Sequence, residues 1–433
     1  MSNKKKVLII SYYWPPAGGP GVQRWLKFVK YLPEFDIEPI VYIPENPTYP
    51  IIDQALLNEV SPGITLLKYP IVEPYGFATL FSAKKTKKIS SGLLPVAKKQ
   101  TFLERCMLWV RGNIFIPDAR FLWVDPSVKF LTSYLQNNPV DLVVTTGPPH
   151  SLHLIGLKLK QQTACTWLAD FRDPWTTIGY YKALKLSGYA DRKHRALEKK
   201  VLQTADQILV TSPTTAAEFS AITQRPIQVI TNGYDTEQVP KTTKDACFSL
   251  AHIGSLLLDR NPLVLWRALR SLTQENESFS AAFKLKLIGA VSPEVLQTIH
   301  EMELSEYLEM PGYIPHNEAL VQQRSSQVLL LIEIDHTETR CILPGKLFEY
   351  MVSGCPILAF GPEQSDMEPI IRSTNTGQFY PYSAQEETIK TQILHWFNEF
   401  QLGTLQSNGV GLQHYHRKAL TAELSKLIFA ITQ

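Results

Sequence analysis

The sequence predicts an α/β protein with two lobes, each built on a parallel β-sheet with helices on both faces. Three observations support this prediction. The chain has 433 residues, which is too long for one hydrophobic core. Short apolar runs alternate with amphipathic segments along its length, as expected for parallel sheets. A polar stretch at residues 240–247 interrupts the alternation, which then begins again.

Each apolar run predicts one buried strand, and helical segments fall between most of them. The predicted strands are VLII (from residue 7), PIVYI (39), DLVVTT (141), CTWLADF (165), QILVTS (207) and IQVITN (227), then FSLAHIG (248), FKLKLIG (283), YLEMPGY (307), QVLLLIE (327) and PILAF (356). The predicted domains are residues 1–238 and 239–433, and the final helix could pack back on the first lobe. Because ligands of such sheets bind beyond the carboxyl ends of the strands, we expect the site in the cleft between the lobes.

The stretch SYYWPPAGGPGVQRWLKFVKYL (11–32) predicts a loop and a helix directly after the first strand. Its apolar residues share one helical face, and its Gly/Pro-rich loop would present backbone amides to an anion. A dinucleotide fingerprint is excluded because Arg24 occupies the third glycine position, and no Gly-Lys-Ser/Thr follows for a Walker loop. A cation in the first turn opposes the helix dipole, so Arg24 requires a negative group nearby or full solvation.

The charge distribution is uneven although the net charge is only +3. Residues 1–120 hold 16 Lys/Arg and 9 Asp/Glu, a net charge of +7, and the segment Lys84–Lys99 has six lysines and no acid. Such a segment suits either an anionic membrane surface or a solvated loop. No nucleic-acid-binding motif is present, so we expect no nucleic-acid partner. Five scattered cysteines without a CxxC pair favour reduced thiols in a cytoplasm, and no apolar run is long enough for a membrane span or a signal peptide.

The strongest local pattern is LPGKLFEYMVSGCPILAF (343–360). Pro344 and Gly345 begin a predicted helix, Gly354 ends it, and the next strand follows. Lys346 and Glu349 share a face at the start of this helix. Free amides with Lys346 suit a diphosphate, and a carboxylate one turn deeper suits ribose hydroxyls. The alternative is an exposed Lys/Glu pair that contributes a few tenths of a kcal/mol.

This segment is very similar to the nucleotide-binding segment of retaining GT-B glycosyltransferases of the family 4 type. Four further stretches resemble that family in the same order along the chain: the opening loop PPAGGPG (15–21), VITNGYD (229–235), HIGSLLLDRNP (252–262) and MPGYIPHNEAL (310–320). The resemblance implies two Rossmann-like lobes, an N-terminal acceptor-binding domain and a C-terminal domain for the nucleotide sugar. TTGPPHS (145–151) and LADFRDPW (168–175) look like features of a sub-branch.

The resemblance also implies roles for individual residues. Glu349 would hold the donor ribose and Arg260 would face the diphosphate. The other donor-binding residues implied are Gly18 and Gly19 in the opening loop, Tyr313 and Ile314 along the nucleobase, and Pro344, Gly345 and Lys346 at the helix start. No metal or cofactor is expected beyond the donor itself, which we expect to be UDP- or GDP-linked. The family carries a second glutamate eight residues before Glu349, where this chain has Cys341; Glu338 lies close enough in sequence to replace it.

Other polar residues follow strands of the first lobe. His150 lies in a strand-end loop where a neutral imidazole could touch the sugar, so we group it with Arg260 and Lys346 as catalytic candidates. Asp170, Arg172 and Asp173 could bind an acceptor hydroxyl, or the arginine could simply pair with an aspartate. Glu333 and Asp335 form an acidic pair, which we do not assign to a metal because the family typically needs none.

These patterns together predict a retaining glycosyltransferase that acts on a glycan, lipid-linked or similar acceptor in cell-surface polysaccharide synthesis. We expect it in the cytoplasm, on the inner face of the membrane if the lysine-rich segment binds lipid. Two alternatives remain at this point. One is a GT-B sugar-nucleotide epimerase, and the other is a non-catalytic scaffold that binds nucleotide or membrane, for which Cys341 is the main argument.

Overall fold

A computed structural model describes residues 4–73, 102–235 and 242–433. The chain forms two compact units. The first unit comprises Met1–Asn232 and Arg417–Gln433, and the second comprises Gly233–His416. The boundary predicted between residues 238 and 239 and the lysine-rich segment Lys84–Lys99 both lie outside the described residues.

The first unit is built on a parallel sheet with the strand order β3-β2-β1-β4-β5-β6-β7. The strands are β1 (Lys5–Ile10), β2 (Ile37–Pro44), β3 (Thr65–Tyr69), β4 (Leu142–Gly147), β5 (Trp167–Phe171), β6 (Gln207–Val210) and β7 (Ile227–Val229). Strand β1 pairs on one side with β2 and on the other with β4, so the order reverses there. Ligands of open parallel sheets bind at the carboxyl ends of strands where the order reverses.

Helices cover both faces of this sheet, as its continuous apolar strands require. They are α1 (Pro20–Tyr31), α2 (Phe102–Asn113), α3 (Val124–Asn137), α4 (Ser151–Thr163), α5 (Gly179–Ala183), α6 (Gly188–Thr204) and α7 (Pro213–Ser220). The predicted apolar stripe of α1, which includes Trp25 and Leu26, is buried on one face of the sheet. The final helix of the chain, α15 (Arg417–Ile431), packs on the same face through Leu420, Leu424 and Ile428.

The second unit repeats this architecture with the strand order β10-β9-β8-β11-β12-β13, again parallel. Its strands are β8 (Phe248–Ile253), β9 (Phe283–Ile288), β10 (Leu308–Gly312), β11 (Val328–Ile332), β12 (Ile357–Gly361) and β13 (Gly377–Pro381). Its helices are α8 (Leu263–Glu275), α9 (Glu277–Ala282), α10 (Pro293–Glu301), α11 (His316–Ser325), α12 (Gly345–Met351), α13 (Met367–Thr374) and α14 (Glu386–Gln401). The order reverses between β8 and β11.

The α/β class and the two parallel sheets predicted from the sequence are confirmed. Each predicted strand is present, but the sequence did not indicate β3 or β13. Both are edge strands, and most of their residues are exposed or half-buried. Edge strands need no continuous apolar run, so the pattern that reveals a central strand is missing from them.

Candidate active site

The second unit gathers its candidate residues at the carboxyl ends of β8 and β11. Two glycines at strand ends allow neighbouring groups to lie close to the backbone, because they carry no side chain. Gly254 follows β8 with φ 126° and Gly289 follows β9 with φ 125°, a region that favours glycine. A Cβ on Gly289 would lie 2.5 Å from the carbonyl oxygen of Gly254, so a side chain there would displace the strand end.

Lys346 reaches this strand end from the first turn of α12. Its Nζ donates to the carbonyl oxygen of Ile253 at 3.3 Å, and a Cβ on Gly254 would lie 3.1 Å from Nζ. Burial, assisted by the positive charge of Arg260, lowers the pKa of Lys346 to about 8. Glu333 and Glu349 act in the opposite direction. Lys346 is therefore a lysine whose charge can change near neutral pH.

Arg260 approaches the same strand ends from the loop that follows β8. Its Nη2 lies 3.1 and 3.3 Å from the two carboxylate oxygens of Glu333, the residue after β11. Glu333 is buried, and the Nε of Arg260 is buried without a hydrogen-bond partner in the described part of the chain. Lys346 and Arg260 thus place two cations beside the reversal of strand order, the position at which open parallel sheets bind their ligands.

Glu349 lies one turn deeper in α12 and is half-buried. Its Oε2 accepts a hydrogen bond from Nε2 of Gln323, a buried residue of α11, at 3.0 Å. Gln323 was not indicated by the sequence, because the contact joins residues 26 apart and follows no local pattern. This hydrogen bond fixes the carboxylate that is predicted to hold the ribose.

The remaining positions to which the family resemblance points differ in their burial. Tyr313 is 89% exposed and Ile314 is half-buried, in the loop between β10 and α11. Cys341 is buried, and its Sγ lies 3.7 Å from the carbonyl oxygen of Glu338. The nucleobase contacts of Tyr313 and Ile314 and the replacement of Cys341 by Glu338 therefore stay predictions. Pro344 precedes α12 as its N-cap residue and Gly345 is its first residue, as predicted.

In the first unit His150 lies directly before α4 and is 6% exposed. Within the described residues, neither ring nitrogen has a hydrogen-bond partner. Burial holds the pKa of His150 well below its usual value, and nearby His153 and Arg172 lower it further. The ring is therefore neutral at physiological pH, with both nitrogens available to a ligand.

An aromatic stack fixes the orientation of the His150 ring. The Trp175 indole lies parallel to it, with ring centroids 5.0 Å apart and an interplanar angle of 3°. The Trp175 Nε1 donates to His194 Nδ1 at 3.1 Å, and its backbone amide donates to the buried carboxylate of Glu198. His194 and Glu198 both belong to α6. Neither was singled out from the sequence, because a buried glutamate that binds a loop resembles any other helical glutamate.

Asp170, predicted to bind the acceptor, is instead fully buried and paired with Arg24. Its oxygens accept hydrogen bonds from the Arg24 guanidinium, Trp25 Nε1 at 2.7 Å and Thr146 Oγ1 at 2.8 Å. The Asp170 carboxylate is thus occupied inside the protein, and its predicted contact with an acceptor stays a prediction. The negative group that the position of Arg24 required is this aspartate.

Arg172 and Asp173 continue the loop that follows β5. Arg172 donates to three backbone carbonyls, those of Gly147, Pro148 and Gly21, and so ties the loop after β5 to the end of β4 and to the first turn of α1. Asp173 is half-buried and has no side-chain hydrogen bond within the described residues; burial raises its pKa, although Arg172 opposes the shift. Arg172 is thus chiefly a scaffold for these loops, whereas the acceptor role of Asp173 stays a prediction.

The opening loop differs in one respect from the expectation of free amides. The amide of Gly18 donates to the carbonyl oxygen of Ile51 at 2.9 Å, so this amide is already paired, and the predicted position of Gly18 beside the donor stays a prediction. Gly19 has φ 90° and is the N-cap residue of α1 without a side-chain cap, so its predicted donor contact remains a prediction.

The described residues contain no group of three or more His, Cys, Asp or Glu side chains placed to hold a metal ion. None of the helices in the described ranges combines the length and the hydropathy of a membrane span.

Residues 95–238 match the family model described as Glycosyltransferase Family 4. This match covers about a third of the chain, and that segment resembles glycosyltransferase family 4. The matched segment contains His150, Trp175 and the loop that holds Asp173. Family 4 glycosyltransferases use a nucleotide-sugar donor and retain the configuration of the transferred sugar, and they typically need no metal. The recognition made from the sequence is confirmed, and so is the enzyme class.

Solved structures with the same GT-B fold cover nearly the whole chain. Sucrose-phosphate synthase from Thermosynechococcus elongatus has a TM-score of 0.61 and 14% identity, with 99% of each chain covered. The apo form of the lipopolysaccharide outer core galactosyltransferase WaaB has a TM-score of 0.56 and 14% identity, with 98% of this chain and 99% of that chain covered. A putative UDP-N-acetylglucosamine 2-epimerase from Listeria monocytogenes has a TM-score of 0.52 and 13% identity, with 99% and 96% covered. No curated protein sequence gave a significant match. At these identities the structural likeness shows the fold alone.

Proposed function

We propose that this family 4 glycosyltransferase transfers a sugar from a UDP- or GDP-linked donor to a glycan or lipid-linked acceptor in cell-surface polysaccharide synthesis. The observation that carries the donor half of this proposal is the convergence of Lys346 and Arg260 at the ends of β8 and β11. Two cations at a reversal of strand order match a diphosphate, which carries the negative charge of the leaving group.

The donor contacts follow from this position. Lys346, Arg260 and the amides at the start of α12, beside Pro344 and Gly345, stabilise the departing diphosphate. Glu349, held by Gln323, accepts hydrogen bonds from the ribose hydroxyls. Tyr313 is exposed and can stack on the base. Gly19 approaches the donor through the backbone. Catalysis is then mainly positioning and electrostatic stabilisation.

His150 is the catalytic candidate of the first unit. A neutral imidazole with two unpartnered nitrogens can accept from a sugar hydroxyl and donate to another oxygen. The stacked Trp175 restricts its rotation. In the same loop, Asp173 offers an unpartnered carboxylate to an acceptor hydroxyl, and its position is set by Arg172.

A membrane-associated acceptor is supported by the sequence and by one helix. The segment Lys84–Lys99 carries six lysines without an acid. On α2, which begins soon after it, Trp109 is 49% exposed, and Ile114 just beyond the helix is 56% exposed. Lysines with exposed aromatic and aliphatic side chains are typical of proteins that bind an anionic bilayer surface. We therefore place the enzyme in the cytoplasm, on the inner face of the membrane. The lipopolysaccharide outer core galactosyltransferase WaaB has the same fold.

A donor panel tests the catalytic part of this proposal. The protein is incubated with UDP- and GDP-linked sugars, with and without a lipid-linked glycan acceptor, and release of the nucleoside diphosphate is measured. Release that depends on the acceptor, with an α- or β-linkage that matches the donor, supports the proposal. Interconversion of donor sugars without an acceptor would indicate an epimerase, and the absence of both would indicate a scaffold; either result overturns it.

Vesicle co-sedimentation tests the membrane part. Binding to anionic vesicles should fall with added salt and be abolished when the six lysines of Lys84–Lys99 are replaced by glutamine. Trp109→Ala should weaken binding with the lysines intact. Equal binding to neutral and anionic vesicles contradicts this part of the proposal.

A further inference from the structure

Glu333 is a buried carboxylate in the second unit to which the family resemblance assigns no role. It directly follows β11 and is 2% exposed. Its backbone amide donates to the carbonyl oxygen of Phe360 at 2.8 Å, and its carbonyl oxygen accepts from the Tyr382 hydroxyl at 2.9 Å. Hydrogen bonds thus hold both the backbone amide and the backbone carbonyl of Glu333, and this fixes the direction in which its side chain leaves the backbone.

That side chain points to Arg260. Both hydrogen bonds that its carboxylate receives within the described residues come from Arg260 Nη2. A buried carboxylate is costly unless a cation compensates it, and the same holds for a partly buried guanidinium. The pair therefore fixes the Arg260 guanidinium at the end of β8, although Arg260 itself lies in a loop.

Glu333 also acts on Lys346. In the described part of the chain, charged or titratable groups face the Lys346 ammonium from several elements: Glu333 just after β11, Arg260 from the loop after β8, Glu349 from α12 itself, and His252 from β8. Burial holds the pKa of His252 well below its usual value, so this ring is neutral. Burial and Arg260 oppose the charge on Lys346, whereas Glu333 and then Glu349 favour it.

We infer that Glu333 is a positioning residue of the donor site, which holds the Arg260 guanidinium and serves as the counter-charge of Arg260 and Lys346 where a nucleoside diphosphate binds. This inference rests on the proposed donor site. The physical reason is that two cations in a partly buried site repel each other. Without Glu333 the arginine would lose its anchor and the lysine would give up its proton more readily.

Calorimetric titration with UDP and GDP between pH 7 and pH 9.5 tests this role. In the native protein, affinity should fall as pH rises through the range in which Lys346 loses its proton. In Glu333→Gln we expect the midpoint of that fall to move down by about one pH unit. The matched control is Asp335→Asn, which removes an exposed carboxylate two residues away and should leave the midpoint unchanged.

Arg260→Gln provides the reciprocal measurement and also covers the case in which Glu333→Gln fails to fold. Removal of the guanidinium leaves Glu333 with Lys346 alone, so affinity should fall overall while the midpoint moves to higher pH. The inference is overturned if the native protein binds UDP or GDP but neither substitution moves the midpoint. A native protein that binds no nucleoside diphosphate overturns the proposed donor site, and the inference with it.

Discussion

The imidazole of His150 and the indole of Trp175 stack in parallel, with ring centroids 5.0 Å apart and an angle of 3° between their planes. The ring nitrogens of His150 have no hydrogen-bond partner within the described residues, so this stack is the main restraint on their direction. The Trp175 indole is restrained in turn by the hydrogen bond to His194 on α6. The orientation of a catalytic candidate therefore depends on a helix that follows it by about 40 residues.

We predict that Trp175→Leu lowers kcat about tenfold or more with little change in the KM for the donor, because the His150 ring loses its restraint. Trp175→Phe preserves an aromatic face and should lose less. Steady-state kinetics at saturating acceptor measure both parameters, and thermal unfolding confirms that each variant is folded. Native kcat in a folded Trp175→Leu protein would contradict the role of the stack.

Lys346 predicts a pH dependence of nucleotide affinity. Its folded pKa of about 8 lies below the ordinary value for lysine, and a bound diphosphate favours the charged form. Affinity for UDP or GDP should therefore be constant well below pH 8 and fall above it, by up to about tenfold per pH unit. Lys346→Met should bind weakly with no such fall between pH 7.5 and pH 9.5. Lys390→Met, at an exposed ion pair on α14, is the control.

Glu349 predicts a loss of nucleotide affinity on substitution. Glu349→Ala should weaken UDP or GDP binding by roughly 1.5 to 3 kcal/mol, the range for hydrogen bonds to a charged group, without unfolding the protein. Gln323→Ala should give a smaller loss, because the carboxylate remains but loses its anchor. Glu368→Ala, an exposed residue of α13, should have no effect. Calorimetry that shows native affinity for Glu349→Ala would remove Glu349 from the donor site.

Because Asp170 is buried and paired with Arg24, we expect its substitution to affect stability rather than acceptor binding. Asp170→Ala leaves Arg24 buried without its partner, which should lower the free energy of unfolding by about 3 to 5 kcal/mol. Asp125→Asn, which changes a largely exposed carboxylate, should shift it by less than about 0.5 kcal/mol. Denaturant unfolding measures both. If Asp170→Ala were as stable as the native protein but impaired toward the acceptor, the original acceptor assignment would be supported.

The sequence predicted those parts of the molecule that local patterns determine. Central strands form continuous apolar runs, and the start of α12 is contiguous, so Pro344, Lys346 and Glu349 could be placed together. Pairings between distant residues could not be predicted in this way. The position of Arg24 in the first turn of a helix required either a negative group nearby or full solvation. No pattern in the surrounding sequence indicated that Asp170, 146 residues away, supplies the negative group.

The same limit applies to both candidate sites. Arg260 and Glu333 are 73 residues apart, and their contact depends on the strand order that brings β8 beside β11. The stack of Trp175 on His150 depends on the packing of α6 against the loop after β5. Such contacts depend on the tertiary structure, and they produce no local pattern of residues from which a single sequence could predict them.

Cys341 tests the alignment of α12 with the family pattern, because the residue expected there is a glutamate that contacts the transferred sugar. If nothing replaces that carboxylate, Cys341→Glu should raise turnover or change donor choice. Affinity for the nucleoside diphosphate should stay nearly the same, since it depends on Glu349, Lys346 and Arg260. Donor-panel assays and calorimetry on the same preparation separate the two effects.

The opposite result is expected if Glu338 has taken over the sugar contact. Its backbone carbonyl already lies beside the Cys341 thiol. A second carboxylate at position 341 would then repel that of Glu338 and raise one pKa of the pair, so Cys341→Glu would lower activity. In that case Glu338→Gln alone should be severely defective, while Glu363→Gln, an exposed carboxylate after β12, should remain active. If neither Cys341→Glu nor Glu338→Gln changes the rate or the product with an accepted donor, the sugar does not bind beside residues 338–341. The correspondence of α12 with the family's nucleotide-binding helix would then be wrong.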